Sequence, residues 1–281
     1  MAINRNGQAT KYKFLHNGKM LKKGFHNSTT LIWSAGSTVT YKVDTGVEYT
    51  EEVDSWATCL TPKTFTPTKD GWTFVGWRED ETASGEVLDS KVMDSEHITL
   101  YAVFKKDITV TYYANGASSS ETKQAYYNNG NNTYPTFTYA NPTLSGASFL
   151  GWSTSSSSTT VKYSSLATAT KFTDSITLYA VFKYNDQTVE QTGTAYKTNT
   201  KTVYIDADKY EKLTLNRLNY GNTTSAYLLD PDGNIVMNLY NSATTASVTS
   251  FVTGNYTLGA GSNYNATNTA QLVMYGKTIV G

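Results

Sequence analysis

The string Ile-Thr-Leu-Tyr-Ala-Val-Phe-Lys occurs twice, at Ile98–Lys105 and Ile176–Lys183. A Gly-Trp pair precedes each copy, Gly76-Trp77 and Gly151-Trp152. An internal repeat constrains a chain more than any other sequence signal, because each unit must be one small structure and its neighbours copies of it. Both copies are dense in β-branched and aromatic residues, which suit pleated, half-buried surfaces. The expectation is a modular, elongated, all-β chain, which moves the question from catalysis to presentation.

The first unit opens at Val39-Thr40-Tyr41-Lys42-Val43 and closes at Leu100–Phe104; the second opens at Val110-Thr111-Tyr112-Tyr113 and closes at Leu178–Phe182. Their offset drifts from 71 residues at the opening strands to 78 at the closing ones, as loops of unequal length would cause. In Trp72-Thr73-Phe74-Val75-Gly76-Trp77 the apolar residues alternate. Simple alternation puts Trp72, Phe74 and Gly76 on one face of a strand and Val75 and Trp77 on the other. Ala147 replaces the aromatic of the first copy's turn, so a looser start to that strand is expected.

Ahead of the repeats, Leu15-His16-Asn17-Gly18 recurs as Phe25-His26-Asn27-Ser28. Asn-Gly between β-prone residues marks a hairpin, because both central positions of a type I′ turn need φ > 0. Residues 1–36 read as a hairpin segment too small for its own core, and so as an anchor that docks on something else. Residues 37–107 and 108–185 are the two repeats, and 186–200 read as a polar linker. Residues 201–281 hold seven strand candidates: Val203–Ile205, Leu213–Leu218, Ser225–Leu229, Ile235–Leu239, Ser247–Val252, Asn255–Leu258 and Gln271–Tyr275. That spacing predicts a small β-sandwich or jelly roll, with its best-marked turn at Asp230-Pro231-Asp232-Gly233.

Composition narrows the function classes. A formal net charge of zero offers no basic face for nucleic acid or anionic lipid. No apolar run is long enough for a membrane span. The only cysteine is Cys59, so cores and strand pairing carry the stability without an internal disulfide. The first residues, Met-Ala-Ile-Asn-Arg-Asn-Gly, lack a charged-then-apolar pattern, which gives the expectation of a protein made in the cytoplasm without the secretory route.

No motif of a nucleophile, a P-loop, a dinucleotide fold or a zinc protease is present, and no catalytic activity or cofactor is expected. His16 and His26 would supply two ligands to a metal, too few for a structural site. Asp230, Asp232 and Asn234 superficially suggest a calcium loop, but the further oxygen ligands of such a loop are absent. Glycoside hydrolysis needs two carboxylates facing each other across a cleft, whereas the adjacent charges of Glu51-Glu52 and Glu79-Asp80-Glu81 read as a solvated rim. The C-terminal segment has no Trp but carries Tyr among Asn and Thr, a composition that gives contact area at low entropic cost. Tyr220, Tyr240 and the loop Asn263-Tyr264-Asn265 are the candidate contacts to a glycan or receptor, and His16, Asn17, Gly18, His26 and Trp33 the candidate anchoring residues.

The pattern Gly71-Trp72-Thr73-Phe74-Val75-Gly76-Trp77 … Thr99-Leu100-Tyr101-Ala102-Val103-Phe104 resembles the internalin-type B repeat, also called the Listeria–Bacteroides repeat. The second copy reads Gly146-Ala147-Ser148-Phe149-Leu150-Gly151-Trp152 … Thr177-Leu178-Tyr179-Ala180-Val181-Phe182. The resemblance covers residues 39–184 and implies small grasp-like β modules that serve as spacers or adhesion units in bacterial surface proteins and in proteins of their phages. It implies a repeat core of Trp72, Phe74, Trp77, Tyr101 and Phe104, matched by Phe149, Trp152, Tyr179 and Phe182. Phe104 and Phe182 stand where the family usually has Trp. The segment Tyr12–Lys23 with Leu31-Ile32-Trp33 is similar to short segments of tail and appendage proteins of phages of Gram-positive bacteria.

Together these features give the expectation of a virion appendage protein, a head fibre, tail fibre or baseplate adhesin. Its N-terminus would meet capsid, tail or baseplate proteins, and its last module a bacterial surface glycan or protein. Assembly as a homotrimer fits such a role, since multivalency offsets weak single sites. The alternatives are a bacterial cell-surface adhesin and an accessory protein of a carbohydrate-active enzyme.

Overall fold

The computed structural model describes residues 15–16, 19–20, 23–26, 30–34, 37–45, 47–53, 58–59, 67–89, 91–92, 97–194, 196–219, 224–262 and 266–281. Every helix or strand among them is a strand, so the chain is all-β. At the N-terminus β1 (Leu15–His16) pairs antiparallel with β2 (Lys19–Met20), and β3 (Lys23–His26) with β4 (Thr30–Ser34). His16 stands opposite Lys19 and His26 opposite Thr30, in two separate ladders.

The chain divides into two compact units. The first comprises Met1–Ile108, Thr122–Thr136 and Lys171–Ser175; the second comprises Thr109–Glu121, Phe137–Thr170 and Ile176–Gly281. In the first, β5 (Ser37–Asp44) pairs antiparallel with β6 (Val47–Val53), and β7 (Thr58–Cys59) precedes β8 (Thr73–Arg78). β9 (Lys91–Val92) pairs with β7, and β10 (His97–Ala114) runs parallel to β5 and antiparallel to β8. The order β6-β5-β10-β8 sets the opening and closing strands of the repeat side by side and parallel, the grasp-like arrangement.

The same order recurs in the second repeat. β10 continues as its opening strand, and β11 (Ala117–Asn128) folds back on it. The turn is Asn115-Gly116, both with positive φ (55° and 75°), as a two-residue hairpin requires. β12 (Asn131–Thr133) pairs with β11, and β13 (Thr136–Tyr139) pairs with β15 (Leu166–Lys171). Between them lies β14 (Ala147–Ser153), antiparallel to β16 (Ile176–Tyr184), which is parallel to β10 from Val110 to Tyr113. A repeat boundary at residue 108 misses one feature. Tyr127, from the end of β11, belongs to the core of the first repeat. Asn128 and Asn131 hold that hairpin there, donating to the carbonyls of Asp80 and Glu81 at 2.8 and 2.9 Å.

Strand β8 corrects the simple alternation. Phe74 faces Phe104 and Gly76 faces Val103, so Val75 has no partner across the ladder. The bulge reverses the alternation, so Phe74 and Trp77 share one core with Trp72. The second repeat repeats the bulge: Phe149 faces Phe182, Gly151 faces Val181, and Leu150 is skipped and 40% exposed. Each copy therefore builds the same chain of rings. Tyr41 meets Trp77 at 4.9 Å, Trp77 meets Phe74 at 5.3 Å, and Phe74 meets Phe104 at 5.7 Å. In the second copy the spacings are 5.7 Å for Tyr112–Trp152, 5.5 Å for Trp152–Phe149 and 5.7 Å for Phe149–Phe182. These are edge-on contacts of the kind that add to area burial. Tyr101 and Tyr179 lie outside this chain, half-buried on the alternate positions of their strands; Tyr179 stacks on Tyr113 at 5.1 Å.

The turn before the bulged strand is the same in both copies. Trp72 N donates to Lys69 O at 3.0 Å, and Ala147 N donates to Leu144 O at 3.1 Å. The expected loosening at Ala147 is absent from this hydrogen bond, because the turn needs the glycine before it rather than the ring; Gly71 and Gly146 both have φ of 73°. After the bulge the chain returns across the strand. Leu88 N donates to Trp77 O at 2.8 Å, and Lys162 N donates to Trp152 O at 2.7 Å. At Gly151 (φ 146°) a Cβ would lie 2.5 Å from the Tyr163 carbonyl oxygen, so only glycine lets the returning segment close.

The last module is an eight-stranded jelly roll. Its strands are β17 (Gln187–Gly193), β18 (Thr198–Ile205), β19 (Tyr210–Leu218), β20 (Thr224–Leu229), β21 (Ile235–Tyr240), β22 (Thr245–Val248), β23 (Gly254–Ser262) and β24 (Asn268–Gly276). They form the antiparallel sheets β17-β24-β19-β22 and β18-β23-β20-β21. Counted within the module these are 1-8-3-6 and 2-7-4-5, the jelly-roll order of two interleaved Greek keys. Leu213, Leu215, Leu228, Leu258 and Leu272 fill the space between the sheets, fully buried. Tyr256 Oη accepts from Val252 N at 3.2 Å and donates to Val252 O at 2.9 Å, a tyrosine corner that pins the β22–β23 connection. Six of the seven expected strands are present, and the seventh, expected at Ser247–Val252, lies earlier as Thr245–Val248. The eighth, β17, occupies the stretch read as a linker, which reads as polar because an edge strand leaves Thr188, Glu190 and Thr192 exposed.

β25 (Thr278–Val280) leaves the jelly roll and pairs antiparallel with β16 of the second repeat. Tyr184 N donates to Lys277 O at 3.0 Å, Lys277 N to Lys209 O at 2.8 Å, and Gly276 N to Asp186 Oδ1 at 2.8 Å. A Cβ on Gly276 would lie 1.6 Å from Tyr184 O, so the two segments cross at backbone contact.

Two outcomes are expected from these arrangements. Gly151→Ala should destabilise the second repeat by about 2–4 kcal/mol, since a clash and an unfavourable φ act together, whereas Leu150→Ser should change stability by less than about 0.5 kcal/mol; urea unfolding followed by hydrogen exchange measures both. In the first unit, the Asp44 carboxylate accepts from Tyr127 Oη, from Lys69 Nζ at 2.9 Å and from Thr45 N at 2.8 Å. The Tyr127 hydrogen bond, ahead of the Lys69 ammonium, holds the Asp44 carboxyl below its ordinary value of 3.8. A depressed folded-state pKa stabilises above the unfolded value and is lost as pH falls through the folded one. The thermal midpoint of the first unit should therefore drop as pH falls below about 4, and less steeply in Asp44→Asn.

Candidate binding end of the C-terminal sandwich

The register of the jelly roll divides its connections between two ends. At the near end lie Gln187, Tyr210 and Gly276, beside the second repeat. At the far end Gly193 stands opposite Asn268, Thr198 opposite Gly261, Thr224 opposite Ser262, and Leu218 opposite Thr269. All four far-end connections cross from one sheet to the other between strands holding the same position: β17 to β18, β23 to β24, β19 to β20 and β21 to β22. The strand ends they join therefore form a row, and three interstrand spacings make it about 14 Å across.

Two buried polar side chains support this row. Arg217, 2% exposed, donates through Nη1 to Thr224 O at 2.7 Å and through Nη2 to Asn241 O, so one guanidinium ties the start of β20 to the turn after β21. The Arg217 amide donates to Thr244 O at 2.8 Å. Asn268, fully buried, donates to Ser225 O at 2.8 Å and Gly261 O at 3.4 Å. Planar, many-donor guanidinium suits the carbonyls of converging loops. The base of the far end is thus cross-linked by buried hydrogen bonds where the strands stop.

Tyrosine stands at both edges of the row. Tyr240, at the end of β21, is 48% exposed. Tyr196, between β17 and β18, is 72% exposed and has φ of 56°. A bulky residue in the left-handed region is an outlier, and such positions concentrate where a side chain is displayed for use. The turn holds it: Lys197 N donates to Thr194 O at 2.9 Å, and Asn199 Nδ2 to Thr192 O at 2.9 Å. Asn219 and Asn241 have the same positive φ. Tyr196 was hidden in the sequence by its place inside an apparent linker; its signal was a lone aromatic between two Thr-rich stretches.

Of the sequence candidates for glycan contact, Tyr240 lies on this end, while Tyr220 and Asn263, Tyr264 and Asn265 fall outside the described residues. The strand ends that flank them, Leu218 with Thr224 and Ser262 with Asn268, belong to the far end. Of the anchoring candidates, Asn17 and Gly18 fall outside the described residues, and the side chains of His16, His26 and Trp33 are not described. Trp77, Trp152, Phe104 and Phe182 are fully buried, and Trp72, Phe74 and Phe149 pack half-buried with them.

The acidic motifs are engaged in local structure. Asp230 Oδ1 accepts from the amides of Asp232 and Asn234 at 3.0 and 2.7 Å, and Asn234 Nδ2 donates to Oδ2 at 3.1 Å. These hydrogen bonds, that of the Asn234 amide first, hold the Asp230 carboxyl below its usual range. Asp80 pairs with Arg78 at 2.9 Å and accepts from Thr82 N, and the Arg78 hydrogen bonds hold its carboxyl well below the carboxylate range. Arg78, Asp80 and Glu86 line a cleft of about 260 Å³. No group of three His, Cys, Asp or Glu among the described residues is placed to hold a metal. The far end offers aromatic faces, hydroxyls and amides: a surface for contact.

The Listeria-Bacteroides repeat domain family matches residues 38–103 and 109–181. A protein of Evansella cellulosilytica named "Putative membrane protein" is 34% identical over 118 residues, which is 41% of this chain and 17% of that protein. The chain thus spans about a sixth of that relative's length. A solved structure, the Aeromonas hydrophila periplasmic inhibitor of g-type lysozyme, aligns over 33% of this chain and 86% of its own at 11% identity and a TM-score of 0.26, a likeness that carries no argument. None of these matches points to a virion. Residues 38–103, with Trp77 in their core, and residues 109–181, with Trp152 in theirs, are Listeria–Bacteroides repeat domains.

Proposed function

We propose that this protein is a bacterial cell-surface adhesion protein, without catalytic activity, in which two repeat domains carry a jelly roll that contacts a glycan. The observation that carries the reading is the far end of the jelly roll. The strand ends of four sheet-crossing connections stand in a row there on a buried, hydrogen-bonded Arg217–Asn268 base, with Tyr196 and Tyr240 exposed at its edges. Rigid amphipathic rings flanked by Asn and Thr suit the alternating apolar faces and hydroxyls of a sugar. The near end is fastened at both Tyr184 and Lys277, which turns the far end away from the second repeat.

The repeat family, whose members are typical of surface proteins, and the relative named as a membrane protein favour a cell envelope over a virion. The expected virion appendage shares the same modules, so location separates the two. Cell fractionation with antibody detection should find the protein in the envelope fraction. Its recovery in purified phage particles would restore the appendage reading.

Binding is tested on an array of bacterial surface polysaccharides with the full chain. Tyr196→Ala and Tyr240→Ala should each weaken binding by about tenfold, the cost typical of losing a contacting aromatic. Tyr204→Ala, an exposed ring 62% accessible on β18 away from the row, should leave it unchanged. Equal binding by all three variants would rule out the far end.

A further inference from the structure

The closing strand of each repeat has a second antiparallel neighbour, and the two repeats draw it from different places. In the second repeat it is β25: Val181 stands opposite Val280, Phe182 opposite Ile279 and Lys183 opposite Thr278. Gly281 N extends the contact to Ala180 O at 2.8 Å. In the first repeat the matching stretch is Val103-Phe104-Lys105 of β10, and its neighbour is the end of β11. The two-residue turn sets that register. Thr111 lies across from Ser120, their hydroxyls 3.0 Å apart, and Asp107 across from Gln124 at 3.3 Å. Counting on along the ladder brings Phe104 opposite Tyr127, and their rings are 6.3 Å apart. Tyr127 and Ile279 therefore face equivalent phenylalanines, Phe104 and Phe182.

The positions equivalent to those around Tyr127 change as a set in the second copy. Around Tyr127, the hydroxyl donates to Asp44, Lys69 Nζ donates to Asp44 at 2.9 Å, and the same ammonium lies 3.7 Å from the Tyr127 ring centre. Asn115 occupies the second copy's position for Asp44, at the end of the opening strand and 71 residues on. Leu144 occupies the position for Lys69, since each accepts the amide that closes the turn before the bulged strand. A carboxylate, an ammonium and a phenol in the first copy thus become an amide and two aliphatic side chains. The change is concerted, as it must be where a charge left alone would lose its partner on partial burial.

We propose that each repeat presents a strand socket beside its closing strand, and that β25 fills in the second repeat the place that the following repeat's second strand fills in the first. The socket accepts an antiparallel strand of at least three residues with one bulky side chain over the closing phenylalanine. The residues at positions 44 and 69, or 115 and 144, match the polarity of that side chain. The jelly roll is thereby seated on the second repeat by the same kind of strand joint that holds Tyr127 against Phe104 in the first unit.

The test uses the full chain and amide hydrogen exchange. Ile279→Asp should lower protection of the Val181–Lys183 amides by at least about tenfold, with the β19 and β24 amides unchanged. Ile279→Tyr alone should lower it as well, by placing a phenol without a partner. Adding Asn115→Asp and Leu144→Lys to Ile279→Tyr rebuilds the first repeat's trio and should bring protection back to within about threefold of the unmodified chain. Unchanged protection in Ile279→Tyr, or a triple variant no better protected than Ile279→Tyr, overturns the proposal.

Discussion

A bulge of one residue, at Val75 in the first repeat and Leu150 in the second, decides where the largest side chains of the repeat region point. With regular pleating, Trp77 would turn its ring away from Phe74. The bulge turns it back, so tyrosine, tryptophan and two phenylalanines meet edge-on beneath a four-stranded sheet. A sheet of this size has little area with which to exclude water, and concentrating the rings on one side supplies most of what it has. The glycine after each bulge follows from the same constraint, because the returning segment occupies the space a Cβ would need.

The parallel pairing of opening and closing strands has a further effect. An opening strand that lies beside its own closing strand leaves the far half of the closing strand with a vacant edge. β10 uses that half to become the next repeat's opening strand, and β11 then folds back to cover the edge left behind. Successive repeats are therefore interleaved in sequence. This is why Thr122–Thr136 belongs to the first compact unit although the family boundary assigns it to the second repeat.

Much of this was legible in the sequence, and the remainder was not for definable reasons. The doubled octapeptide and the Gly-Trp pairs identified the strands that carry the core, because burial on one face restricts residue type. Seven strands of the jelly roll were legible from their alternation, one of them displaced. The bulge was not, since it is a displacement of one residue that leaves composition unchanged. β17 was not, because an edge strand with one face in water has the composition of a linker. The carboxylates around Asp80 and Asp230 look chemically poised in sequence; in three dimensions their oxygens are taken by Arg78 and by the Asn234 turn. Tyr196 escaped notice because its interest comes from a backbone angle.

The two ends of the jelly roll meet at one place: Tyr184, just before β17, is one hydrogen bond from Lys277, just after β24. To the second repeat the whole sandwich is a long loop between two adjacent strands. Closing a long loop costs only slightly more than closing a short one, and here the loop folds on its own core. The sandwich is therefore a cassette. Another module whose first and last strands emerge side by side could replace Gln187–Gly276 without altering a residue of the second repeat's sheet.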